Sequence, residues 1–93
     1  PPVPIYLGIP PQTKRFEAIP CLNPNPIELT PPELEALRLV DLEGLTQEEA
    51  AKRMGVSRGT LWRLLKSARE KTARALVESR SIIVSSAGGL NQT

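Results

Sequence analysis

The chain has 93 residues, room for one domain with a modest core and too few for a multidomain assembly. Aromatics are confined to Tyr6, Phe16 and Trp62, so the core must be aliphatic, and the single cysteine, Cys21, excludes an internal disulfide and fits a reducing cytoplasm. The net charge of +2 hides two opposed stretches: 17–49 carries eight acids and one base, and 50–80 carries nine bases and two acids. That asymmetry suits a polyanionic partner and equally suits two solvated helix faces side by side; charge alone does not choose.

All ten prolines lie at or before Pro32. Proline removes a backbone donor and clashes with the preceding turn, so 1–29 is expected to be an extended, Pro-rich arm. Short strands are expected at Ile5–Ile9, an edge strand because of Pro4, and at Ile27–Leu29. The chain starts at Pro1 without Met, and we expect it to have been processed or trimmed. No apolar run approaches the roughly 20 residues of a membrane helix, and no secretory signal is visible, so no membrane partner is expected.

From Thr30 the signals are helical. Thr30-Pro31-Pro32-Glu33 is a capping box with proline at the first two helical positions. It predicts a helix carrying Leu34, Leu37, Val40 and Leu42 and stopping at Gly44. Glu33 and Glu35 read as helix-start charges that complement the dipole. Thr46-Gln47-Glu48-Glu49 is a second capping box, predicting a short helix from Gln47 to Met54 packed through Ala50, Ala51 and Met54. Ser57 caps a third helix, Arg58 to about Glu78, with Leu61, Leu64, Leu65, Ala68, Thr72, Ala75 and Leu76 facing inward. The tail, 80–93, holds one β-prone stretch, Ile82-Ile83-Val84, before a frayed end; if the N-terminal segment folds back on the third helix, this stretch is expected to pair with it as a small sheet. The expected fold is therefore mainly α: a three-helix domain over 30–79, with an extended arm before it and short strands at both ends.

Two helices joined by a short glycine-containing turn make a helix-turn-helix, and Gly55-Val56-Ser57 has the right chemistry at each place. Gly55 supplies positive φ, Val56 plugs the angle between the helices, and Ser57 accepts from an orphan amide. Ala51 is small where the helices must cross closely. In this motif the second helix lies in the major groove with its N-terminal residues at the base edges. Arg58, Thr60, Trp62, Arg63 and Lys66 are the candidates there, with Ser57 at the helix start; an arginine can read guanine bidentately or hold phosphate. Gln47, at the start of the preceding helix, is placed for a phosphate oxygen. Arg69 is expected at phosphate or in solvent. Trp62 admits two readings, a cover for thymine methyls and sugar carbons or a core residue packed on the first helix.

The run from Glu33 to Ala51, continued by Met54-Gly55-Val56-Ser57-Arg58 and Ser67-Ala68-Arg69, resembles a small prokaryotic family of predicted DNA-binding proteins, domain-of-unknown-function family one hundred and thirty-four. The resemblance spans about 27–85. More distantly, Gly59-Thr60-Leu61 and Ala68-Arg69 look like the fourth region of sigma factors. The resemblance implies a sigma-region-four-like fold and a transcriptional role. The chain departs from the family at Gly59 and Trp62, both on the presumed reading surface, so no target sequence carries over. Of the family's basic leader only Lys14 and Arg15 are represented.

The expected function is sequence-specific binding of double-stranded DNA by a cytoplasmic transcriptional regulator. The alternative is a protein-interaction module docking on RNA polymerase or another factor, which the acidic segment 28–49 would favour. An enzyme is not expected, nor a cofactor or metal: there is no histidine, no second cysteine and no glycine-rich phosphate loop. Something must bury the apolar row Ala68, Thr72, Ala75 and Leu76 in the second half of the third helix: either the N-terminal segment of the same chain, through Ile5, Leu7 and Ile9, or a second chain, and the homodimer is the favoured expectation.

Overall fold

In the computed structural model, which describes Ile5, Tyr6, Gly8 and residues 15–84, helix α1 (Pro31–Leu37) starts where its capping box predicts. The Thr30 hydroxyl accepts the Glu33 N–H and the Glu33 carboxylate accepts the Thr30 N–H. Proline fills the first two helical positions, whose amides have no partner within the helix. The helix does not continue regularly to Gly44. Arg38–Leu42 form a π-helical turn, with the Glu43 N–H donating to the Arg38 carbonyl at 2.8 Å. The wider turn rotates the residues at its end away from the α-helical register. Leu42, expected on the inward face, is 77% exposed, and the buried apolar residues here are Pro31, Pro32, Ala36 and Leu39. Leu34, Leu37 and Val40 are only half-buried.

Helix α2 (Gln47–Met54) begins at the reciprocal Thr46/Glu49 cap and buries Ala50, Ala51 and Met54, as its pattern predicts. Helix α3 (Arg58–Glu78) starts on Ser57, whose hydroxyl accepts the Thr60 N–H at 3.1 Å. Its 21 residues span about 31 Å at ~1.5 Å per residue. The core joins Ala36, Leu39, Ala50, Ala51, Met54, Leu61 and Leu65, with Ile5 and Val56 packed against it. Along α3, Leu61, Leu65, Ala68 and Ala75 are buried, and Leu64 and Thr72 half-buried. Leu76 departs from the expected row. It is 77% exposed, because near its end α3 is covered only by thin strand and arm segments.

Those strands are β1 (Arg15–Phe16), β2 (Ile27–Leu29) and β3 (Ile82–Val84), in the order β1-β3-β2. β3 runs parallel to β2, with Ile27 opposite Ile82 and Leu29 opposite Val84, and antiparallel to β1. The expected partner of β3, Ile5–Ile9, is not in the sheet: Ile5, Tyr6 and Gly8 take no strand conformation, while Leu7 and Ile9 lie outside the described residues. So does the tail beyond Val84. The sheet ties the end of the arm to the start of the tail and packs on α3. Among the described residues no helix is long and apolar enough to cross a membrane.

Candidate nucleic-acid interface

The turn between α2 and α3 sets the geometry of the site. Gly55 ends α2 at φ +70°, the left-handed conformation that costs an L-residue about 1–2 kcal/mol. The Val56 N–H donates to the Ala51 carbonyl at 3.0 Å, and the half-buried Val56 side chain rests on the core. Tyr6 crosses this turn. Its N–H donates to the Met54 carbonyl at 3.1 Å, and its ring lies where a β-carbon on Gly55 would come within 3.0 Å. The arm is thereby fastened beside the motif, a contact with no signal in the residue pattern.

Spacings of three and four residues put Arg58, Gly59, Trp62, Arg63 and Lys66 on one face of α3, opposite Leu61, Leu65 and Ala68. All five are exposed. Trp62, with two readings open in the sequence, is 43% exposed and stands outside the core. Thr60 is half-buried and belongs to the frame of the face. Its Oγ1 accepts from the Ser57 hydroxyl at 3.0 Å and from Arg63 Nη2 at 3.4 Å. The Ser57 hydroxyl thus works both as cap and as the start of a short chain that aims the Arg63 guanidinium.

The cations of the basic half are sorted. Arg69 makes two hydrogen bonds to Asp41, at 2.9 and 2.7 Å, and Lys71 reaches Glu33 at 2.8 Å. Arg74 and Arg80 both pair with Glu78. Four of the acids of 28–49 are likewise spent inside the molecule: Glu35 and Glu43 hold Arg38, Asp41 holds Arg69 and Glu33 holds Lys71, while Glu28, Glu48 and Glu49 stay exposed. Arg58, Arg63 and Lys66 have no ion-pair partner among the described residues. Neither have Lys52 and Arg53 on α2, which no motif marks in the sequence. Their spacing of four from Glu48 and Glu49 favours ion pairs that would neutralise them, yet none forms. Five cations therefore face outward from the helix-turn-helix, while those behind it are consumed.

Glu33 and Glu35 do more than balance a helix dipole. Both are buried. Glu35 accepts from Arg38 and from the Gly8 N–H at 2.6 Å. Burial pushes the Glu33 carboxyl up, but hydrogen bonds from Lys71, Ser67 and the Thr30 amide outweigh it and leave the group below its ordinary value. Hydrogen bonds from Arg69 hold the Asp41 carboxyl down in the same direction. Gln47 is half-buried at the first position of α2. Beside it Glu48 and Glu49 are exposed acids, and hydrogen bonds from the Thr46 amide and hydroxyl hold the Glu49 carboxyl below its ordinary value. A phosphate at this helix end would meet that negative charge, so Gln47 offers a weaker anion site than a helix start usually gives.

Residues 6–93 match the model of a family described as Protein of unknown function DUF134. The chain is similar to UPF0251 protein PH0803 of Pyrococcus horikoshii, 58% identical over 81 residues that make up 84% of this chain and 74% of that protein. It is 57% identical over 81 residues to UPF0251 protein TK0562 of Thermococcus kodakarensis, covering 84% and 72% of the two chains. A UPF0251 protein of Archaeoglobus fulgidus is 39% identical over 88 residues, 95% of this chain and 84% of the relative. No solved structure matches the chain.

Proposed function

The chain belongs to the DUF134 family, and we propose that it is a sequence-specific double-stranded-DNA-binding protein, acting as a cytoplasmic transcriptional regulator through α2 and α3. One observation carries this reading: among the described residues, the cations on the exposed face at the start of α3 have no acidic partners, whereas those in its second half are paired. An unpaired, exposed row of Arg58, Arg63 and Lys66 beside Trp62 is suited to a polyanion. Its place at the N-terminal end of the second helix of the motif is the place that enters the major groove.

The roles divide by geometry. Arg63, aimed by Thr60, reads a base edge; Arg58 and Lys66, at the two ends of the face, hold phosphate or a neighbouring base. Trp62 lies over thymine methyls or sugar carbons between them. Ser57 and Thr60 position the face. Gln47, Lys52 and Arg53 meet the backbone from α2. Arg69 is committed to Asp41 and adds to binding only at the margin. Docking on RNA polymerase through the acidic segment gains no support from the internal pairing of Glu33, Glu35 and Asp41. Selection of bound sequences from random duplex DNA tests the reading. A single enriched motif is expected; retention of DNA without any sequence enrichment, or no retention at all, contradicts it.

A further inference from the structure

At the end of the molecule away from the reading face, five large apolar side chains stand in solvent around the last turns of α3: Phe16 (61% exposed), Ile19 (90%), Leu22 (74%), Leu76 (77%) and Val77 (83%). Phe16, Ile19 and Leu76 border one shallow depression. Phe16 and Leu76 also border a second, a groove of about 460 Å³ floored by Leu29, Leu34, Leu37 and Val84. The Leu22 N–H donates to the Ser79 carbonyl at 3.1 Å, which holds that loop at the same helix end. We infer that this surface is where a second copy of the chain docks.

Three arguments select a second copy over another partner. The first is area. At roughly 150 Å² apiece the five residues expose on the order of 700 Å² in total, close to the ~800 Å² per partner of a stable interface. The second is charge. The rim is Arg15 with Glu17, Arg74 with Glu78, and Arg80 with Glu78, both signs nearly in balance. A balanced rim repels neither a basic nor an acidic partner and attracts neither. Across a two-fold axis the same patch faces itself, and a rim that holds both signs can set arginine against glutamate there.

The third is reach, and it rests on the DNA-reading proposal. Leu76 lies fourteen residues along α3 from Trp62, about 21 Å at ~1.5 Å per residue. An axis through Leu76 therefore sets two reading faces up to about 40 Å apart, a span that includes the ~34 Å between successive major-groove half-sites.

The experiment is sedimentation of the intact chain without DNA from 1 to about 100 μM, so that its outcome does not depend on DNA recognition. The expected mass is twice 10.2 kDa, with Leu76→Glu raising the dimer dissociation constant at least tenfold while helical circular dichroism is kept. Should Leu76→Glu not fold, a spin label on Cys21, the exposed single cysteine beside Leu22, reads the same surface. Two labels close enough for a dipolar distance under about 40 Å support the interface. A single-chain mass throughout, an unaltered constant in Leu76→Glu, or labels beyond that range overturn it.

Discussion

Arg63 has a direction as well as a charge: the Thr60 hydroxyl accepts from its guanidinium, and among the described residues no carboxylate competes for it. Arg63→Ala is expected to cost about 1–3 kcal/mol of specific DNA affinity and relax preference at one base position. Lys66→Ala is expected to weaken all sequences alike, and fluorescence anisotropy on matched and shuffled duplexes separates the two. Gly55→Val is expected to cost about 1–2 kcal/mol of stability from backbone strain, with crowding against Tyr6 added, read as a lower melting temperature. Gly55 was legible because a turn between helices demands positive φ there; Tyr6 was not, since an exposed aromatic in an extended arm has no periodicity to place it. Glu33 gives a pH test. Its folded pKa is lowered, so its contribution to stability is fully present above the ordinary carboxyl value near 4.5 and is lost as pH falls through the folded value. Glu33→Gln is therefore expected to melt below the parent at pH 7, by about 1–3 kcal/mol, and the gap is expected to narrow in acid below that value.

The helix starts were legible to the residue because they are chemical. Thr30, Thr46 and Ser57 each accept an amide at the third helical position, and Gly55 closes α2. The π-helical turn at Arg38–Leu42 was hidden: its apolar residues at Leu37, Val40 and Leu42 satisfy an α-helical pattern, and only the extra residue in the ladder turns Leu42 outward. β1 was equally hidden, since two residues carry no alternation, and the order β1-β3-β2 rests on pairings across more than fifty positions. The end of α3 offers a test at this scale. Ser79 closes the helix at φ +52°, where glycine is the usual residue. Ser79→Gly removes the β-carbon strain and gives back part of it as unfolded-state entropy, leaving an expected gain of about 0.5–1 kcal/mol, a melting temperature higher by a few degrees in calorimetry.

At the scale of the whole chain, charge segregation in sequence becomes charge cancellation in space. The acidic α1 region lies against the later half of α3 and neutralises Arg69 and Lys71, so the surplus positive charge is concentrated at the start of α3, while Lys52 and Arg53 at the end of α2 balance the acids at its start. The same long helix carries the proposed reading face at one end and the exposed apolar side chains at the other, so the proposed pair of copies would present two half-site readers. The central claim is that the reading face binds duplex DNA through Arg58, Arg63 and Lys66. Its most direct test is the salt dependence of duplex binding by the parent and by the triple alanine variant at those positions. The parent's affinity is expected to fall linearly on a log–log plot with a slope of about −3 or steeper per chain, to which Lys52 and Arg53 contribute, and the variant's slope to shrink by about 2, one unit for each of the phosphate-holding Arg58 and Lys66. A parent whose affinity does not depend on salt, or a variant that keeps the parent's slope and affinity, would contradict that claim.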